Sequence, residues 1–172
     1  MTLTTRRIVP AALTAVAAIA AVLAPTAQAA PGADKPGTTT IVLYAENRSL
    51  ARVDVNQPGP DHGDLVHREF ALSREVGGAV IGVSYSQSAV IAYNPDAKVD
   101  VRRVDTEKML PGGRLFSEGL SRLAIGTLPQ PGWKDTYAVI GGTGKYAGAR
   151  GTEELILMPD GKTFKVIIRL LK

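Results

Sequence analysis

Between Gly141 and Gly151 the chain carries five glycines in eleven residues, within the segment Tyr137-Ala-Val-Ile-Gly-Gly-Thr-Gly-Lys-Tyr-Ala-Gly-Ala-Arg-Gly-Thr152. That density excludes a stable helix, since each interior glycine costs about 1 kcal/mol relative to alanine. A phosphate loop and a tight turn between strands remain. Gly142-Thr-Gly144-Lys-Tyr-Ala147 satisfies the loose dinucleotide pattern, but that pattern needs a following helix whose N-terminus holds the pyrophosphate. Gly148 and Gly151 interrupt any such helix, and the residues that follow read as a β-hairpin. The P-loop pattern fails because Tyr146 stands where a magnesium-binding Ser or Thr is required. The segment therefore reads as a turn whose glycines permit positive φ angles and close backbone approach.

The rest of the chain is punctuated in the same way. Apolar and β-branched runs over 39–48, 64–72, 80–93, 98–109, 114–125, 135–140, 149–158 and 163–171 are separated by turn signals. These are Asn56-Gln-Pro-Gly-Pro-Asp-His-Gly63, Gly77-Gly78, Pro111-Gly-Gly113, Pro129-Gln-Pro-Gly132 and Pro159-Asp-Gly161. In the fourth run the alternation is read through Val99, Val101 and Val104. No helical period persists for three turns, and Gly119 and Gly126 weaken a helix over the most ambiguous segment, 117–125. About eight strands with frequent turns predict an antiparallel barrel or sandwich. A closed eight-stranded barrel would leave no sheet edge exposed and could enclose one small ligand.

The N-terminal residues are read as an export signal over 1–29: Arg6 and Arg7, an Ala/Val/Leu/Ile run over 11–24, and Ala27-Gln-Ala29 as the cleavage site. The apolar run is shorter than the roughly 20 residues of a membrane-spanning helix, so no stable membrane anchor is expected. The arginine pair leaves the general and the twin-arginine export routes both open. Residues 30–38, with two Pro-Gly breakers, read as a flexible leader to a single domain over 39–172, and the product is expected to be secreted. Removing Arg6 and Arg7 with the signal lowers the formal charge from +4 to +2, and aromatics are 5% of residues. Neither a basic stripe nor stacking aromatics are available for nucleic acid, which is excluded as a partner. There is no cysteine, so the fold depends on one packed core. His62 and His67 have no second ligand at metal spacing, and no metal or other cofactor is expected. Trp133 is expected to cover a barrel end.

Val139-Ile-Gly-Gly-Thr-Gly-Lys-Tyr-Ala-Gly-Ala-Arg-Gly151 resembles the signature of dirigent proteins and, more distantly, of allene oxide cyclases. Leu43-Tyr44, Gly63-Asp-Leu-Val66, Gly78, Gly82 and Gly113-Arg-Leu-Phe-Ser-Glu-Gly119 are similar to the family pattern in the same order, so the resemblance runs from about Thr39 onward. It implies an all-β, eight-stranded antiparallel up-and-down barrel. It also implies a lumen that takes a small hydrophobic molecule and steers its cyclisation or stereoselective coupling, an isomerase-like activity, and a homotrimer. The alternative is a small-ligand-binding or structural barrel without catalysis.

Carried over residue by residue, the resemblance nominates Glu46, Asn47, Glu69 and Arg150 as catalytic positions and Tyr44, Ser84 and Ser86 as ligand contacts. Asn47 stands where the family has an acid, with Glu46 beside it, and adjacent strand residues cannot both face the lumen without a bulge. Ser84 keeps a polar group where cyclases carry cysteine. Arg150 could hold a phenolate, enolate or carboxylate.

Overall fold

A computed structural model describes residues 37–171. The predicted export signal and nearly all of the leader lie outside the described residues. Eight strands follow in chain order: β1 (Thr38–Val53), β2 (Leu65–Ser73), β3 (Gly82–Asn94), β4 (Val99–Leu110), β5 (Gly113–Ala124), β6 (Lys134–Gly144), β7 (Gly151–Leu157) and β8 (Thr163–Leu171). Each pairs antiparallel with its neighbours in sequence, and β1 also pairs with β8, closing the sheet into an up-and-down barrel. The closure leaves no strand without a partner on either side, although the β5–β6 ladder stops at Glu118 and Ala138.

The predicted runs match these strands to within a few residues, apart from two extensions. β1 continues to Val53 because a bulge between Asn47 and Ser49 absorbs a register shift instead of ending the strand. β6 runs on into the glycine segment as far as Gly144, where Gly113 of β5 pairs with it. The short connections at 74–81, 111–112 and 145–150 lie at one end of the barrel, and the longer loops 54–64 and 125–133 at the other.

The barrel interior is divided along its length. Toward the tight-turn end, Leu43, Leu72, Leu110, Leu115, Val139, Val166 and Ile168 interlock into an apolar plug. Burying each such side chain stabilises the fold by about 1.5–3 kcal/mol. Phe164 extends the plug along one side, meeting Phe70 edge to face at 5.7 Å and Trp133 at 6.2 Å. The other half of the interior mixes charged and hydroxyl side chains with apolar ones such as Phe70, Val104, Leu155 and Phe164.

The glycine segment is the turn that joins β6 to β7. At Gly144 φ is +60°, and a Cβ would lie 2.2 Å from the carbonyl oxygen of Gly112. Gly148 has a similar φ of +74° but no atom within 4 Å of a Cβ. The pair separates two reasons for glycine. Gly148→Ala is expected to lose about 1 kcal/mol, the cost of a left-handed alanine. Gly144→Ala adds a clash with the β4–β5 turn and is expected to lose a further 1–3 kcal/mol or so. Urea denaturation of both variants checks this, and equal losses would refute the close-approach argument.

Candidate active site in the barrel lumen

β4 shows how the site arises. Its burial alternates cleanly, but the inward set is Asp100, Arg102, Val104, Thr106, Lys108 and Leu110, while Val99 and Val101 face outward and are half-buried. The reading of β4 through Val99 and Val101 is therefore corrected: this strand turns its charged side chains inside. A period of two fixes the consequence, since antiparallel partners share a face. Arg68, Ser86, Thr106 and Ser117 follow one another across β2, β3, β4 and β5 in register.

The deepest polar group rests on the apolar plug. Lys108, 2% exposed, and Glu153, fully buried, meet at 2.6 Å across the lumen from non-adjacent strands. Lys108 Nζ also donates to Thr106 Oγ1 at 3.0 Å, and Ser117 Oγ donates to Glu153 Oε2 at 2.5 Å. Glu153 Oε2 receives a directed bond from Nζ at 2.7 Å, while Oε1 touches the same nitrogen as an ion-pair contact but takes no hydrogen bond of good geometry. Nearer the mouth, Arg102 holds Asp100 through two bonds of 2.9 and 2.6 Å and donates to the Thr127 carbonyl.

Tyr137 stands between these pairs. Its ring covers Gly119, where a Cβ would lie 2.3 Å from the ring carbon Cδ1, so the absence of a side chain on β5 makes the room that β6 fills. Burial, and then the charges of Asp135 and Glu153, push the phenol above its ordinary value. It therefore remains a proton-bearing donor at neutral pH. The phenol faces Ser121, but Ser121 Oγ is buried without a hydrogen bond of good geometry. Ser84, Ser86 and Ser88 of β3 line the same cavity, as do Arg68, Phe70, Phe164 and Trp133. The lumen thus has a hydroxyl-bearing and cationic wall facing an aromatic one. Its free volume is about 70 Å³.

The nominated residues divide by strand parity. Ser84 and Ser86 line the cavity. Tyr44 and Glu46 do not, because Leu43 and Ala45 take the inward positions of β1; they line a depression on the outer surface instead. Glu69 likewise faces outward beside His67 and Tyr85, since Arg68 and Phe70 hold the inward positions of β2. Asn47 pairs with Phe70 at the bulge but is exposed and away from the cavity. Arg150 precedes β7 at the tight-turn end, exposed, with its guanidinium donating to the Ala149 carbonyl. The expectation that Glu46, Glu69 and Arg150 share the lumen with Ser84 is thus corrected. The charged residues that do face it, Arg68, Arg102, Lys108 and Glu153, were missed. Parity carried back from Leu155 and Leu157 would have found Glu153. Among the described residues, no three His, Asp or Glu side chains come together as metal ligands.

Neither a protein-family model nor a curated protein matches the chain. Solved structures do. A pyocyanin demethylase superimposes with a TM-score of 0.62 at 26% identity, covering 77% of this chain and 99% of its own. The Diels–Alderase AbmU from Streptomyces koyangensis gives 0.61 at 17% identity over 77% of this chain and 64% of its own. A pterocarpan synthase dirigent protein gives 0.54 at 17% identity over 77% and 86%. The fold is that of a dirigent- and allene oxide cyclase-like barrel.

The buried ion pair makes a specific demand on stability. Lys108→Met or Glu153→Leu, each leaving one charge buried alone, is expected to lose about 3–5 kcal/mol, whereas the double variant should recover most of that loss. Urea denaturation of the three variants tests it. Additive losses in the double variant would show that the two charges do not depend on each other.

Proposed function

We propose that the lumen binds a small, largely apolar molecule and steers its cyclisation or stereoselective coupling. The observation that carries this is the convergence, above a solid apolar plug, of charged and hydroxyl side chains from β2 to β7 opposite the Phe70–Phe164–Trp133 wall. A barrel held only by its core needs no such groups, because buried charges contribute little net stability even when paired. The aromatic wall supplies apolar contact, and the opposite wall fixes orientation. Tyr137, kept protonated, donates to an oxygen that gains charge during reaction, and the Lys108–Glu153 pair sets the field at the base of the cavity. The similar structures are named for work on small molecules: a demethylase, a Diels–Alderase and a pterocarpan synthase.

One observation favours a non-catalytic barrel. A cavity of about 70 Å³ holds a few waters, far less than the several hundred Å³ typical of ligand pockets. In the reading proposed here a ligand is admitted by movement of the long Arg68 side chain, which is only partly buried. The protein would act outside the cytoplasm, on the export signal read in residues 1–29. A homotrimer, which the resemblance implies, would have available the outer depression where Tyr85, Phe116 and Ile140 stand among His67, Glu69, Asp105 and Glu107; light scattering tests it.

The decisive experiment incubates the purified protein with extract of its source organism and identifies retained compounds by mass spectrometry. A small molecule is expected to be retained by the native chain and lost from Ser86→Phe, whose added ring fills the lumen, with the β-sheet circular dichroism unchanged. Retention unaffected by Ser86→Phe would place the ligand elsewhere. Retention without any chemical conversion would favour the non-catalytic barrel.

A further inference from the structure

The charges inside the lumen do not balance. Asp100 is held by Arg102 and Glu153 by Lys108, each at 2.6 Å. Arg68, by contrast, makes no salt bridge or side-chain hydrogen bond among the described residues. The other acids toward the mouth do not line the cavity: Asp54 and Asp64 stand in a separate depression with Arg52 and Arg102 and accept backbone N–H groups, and Asp135 Oδ1 accepts the Thr136 N–H. The environment of Arg68 opposes its charge through burial first and then through the proximity of Arg102 and Arg52, with only Tyr137 acting the other way. Guanidinium does not neutralise itself by losing its proton. An unpaired cation held against these effects is a site waiting for an anion.

Two hydroxyls stand at the same place. Ser121 Oγ is buried without a hydrogen bond of good geometry, and the Tyr137 phenol that faces it stays protonated. Both face the cavity that Arg68 lines, and Phe70 and Trp133 face it as well. We propose that the lumen selects an aromatic or similarly flat monoanion, whose carboxylate or phenolate oxygen is received by Arg68 with the hydroxyls of Ser121 and Tyr137. The inference rests on the lumen being a ligand site and adds the charge class of what it takes. Arg68 supplies a planar fork suited to two oxygens, and the hydroxyls complete the coordination on the other side. A single negative charge restores balance; a dianion would over-compensate it, and a neutral ligand would leave Arg68 desolvated and unpaired.

The test uses two small probes of one shape, 4-fluorobenzoate and 4-fluorobenzamide, titrated against the full chain and followed by ¹⁹F NMR. The benzoate is expected to bind at least about tenfold more tightly than the benzamide, the scale of one charge-assisted hydrogen-bonded contact. In Arg68→Met that preference should vanish, the two probes binding that variant equally, and the melting temperature should stay level or rise because a desolvated cation has been removed. Arg150→Met, at the exposed arginine, should keep the full preference. Equal affinity for the two probes, or a preference that survives in Arg68→Met, overturns the anion site while leaving the lumen as a ligand cavity. So does failure of the benzoate to bind when the extract experiment retains a neutral molecule. If neither probe binds and nothing is retained from the extract, both the anion site and the ligand reading fall.

Discussion

The lumen depends on the contact between Lys108 and Glu153. The two residues come from β4 and β7, which do not pair, so their 2.6 Å contact is a strut across the barrel rather than a rung of its ladder. Its position matters as much as its strength. It sits where the apolar plug ends, and its hydroxyl partners Thr106 and Ser117 reach it from the adjacent strands β4 and β5. Hydrophobic residues of similar volume would pack there at equal or lower free energy. They would also carry the plug further up the barrel and fill the space that now remains. The ion pair is thus better understood as the floor of a cavity than as a source of stability.

The fold was legible because its punctuation is local. Proline and glycine act on the two or three residues around them, so Pro111-Gly-Gly113 and Pro159-Asp-Gly161 mark turns whatever the rest of the chain does. The lumen was legible only in part because parity is a relation between strands. In β4, valines at 99 and 101 look like the buried face, yet the register with β3 and β5 places Asp100, Arg102, Thr106 and Lys108 inside. The usual inference from apolar to inward fails here because the inward face of β4 is itself largely polar. Glu153 and Glu154 are indistinguishable by type; one is fully buried against Lys108 and the other pairs with Arg169 at the partly exposed surface. One residue of phase separates a lumen charge from a surface charge.

Strand parity also separates the family positions that reach the lumen from those that do not. Ser84 and Ser86 lie mid-strand in β3, where the ladder with β2 is regular and phase is kept. Glu46 and Asn47 lie beside a bulge, and Arg150 lies just before β7 begins. At such points one inserted or deleted residue reverses which side chain faces inward, so a matched residue type no longer implies a matched direction. The glycine segment transfers better because its constraint is on the backbone: the turn at Gly144 needs the absence of a Cβ, whichever way its neighbours point.

A polar lumen closed at one end by apolar packing also constrains what chemistry can take place in it. Dipoles and charges that are already oriented stabilise developing charge without reorganising, and their effect grows as water is excluded. The plug excludes water from below, and Trp133 packed on Phe164 narrows one side. Tyr137 could not serve as a base in this setting, since the burial that shelters it also holds its proton in place. What the site offers is donors: a phenol, a row of serine hydroxyls and a guanidinium, set against two carboxylates that are already occupied, Glu153 by Lys108 and Asp100 by Arg102. In the function proposed above, such a site would hold an oxygen of the ligand and fix its conformation, as a ring closure or a directed coupling requires, since the reacting bonds belong to the ligand and the protein supplies position and field.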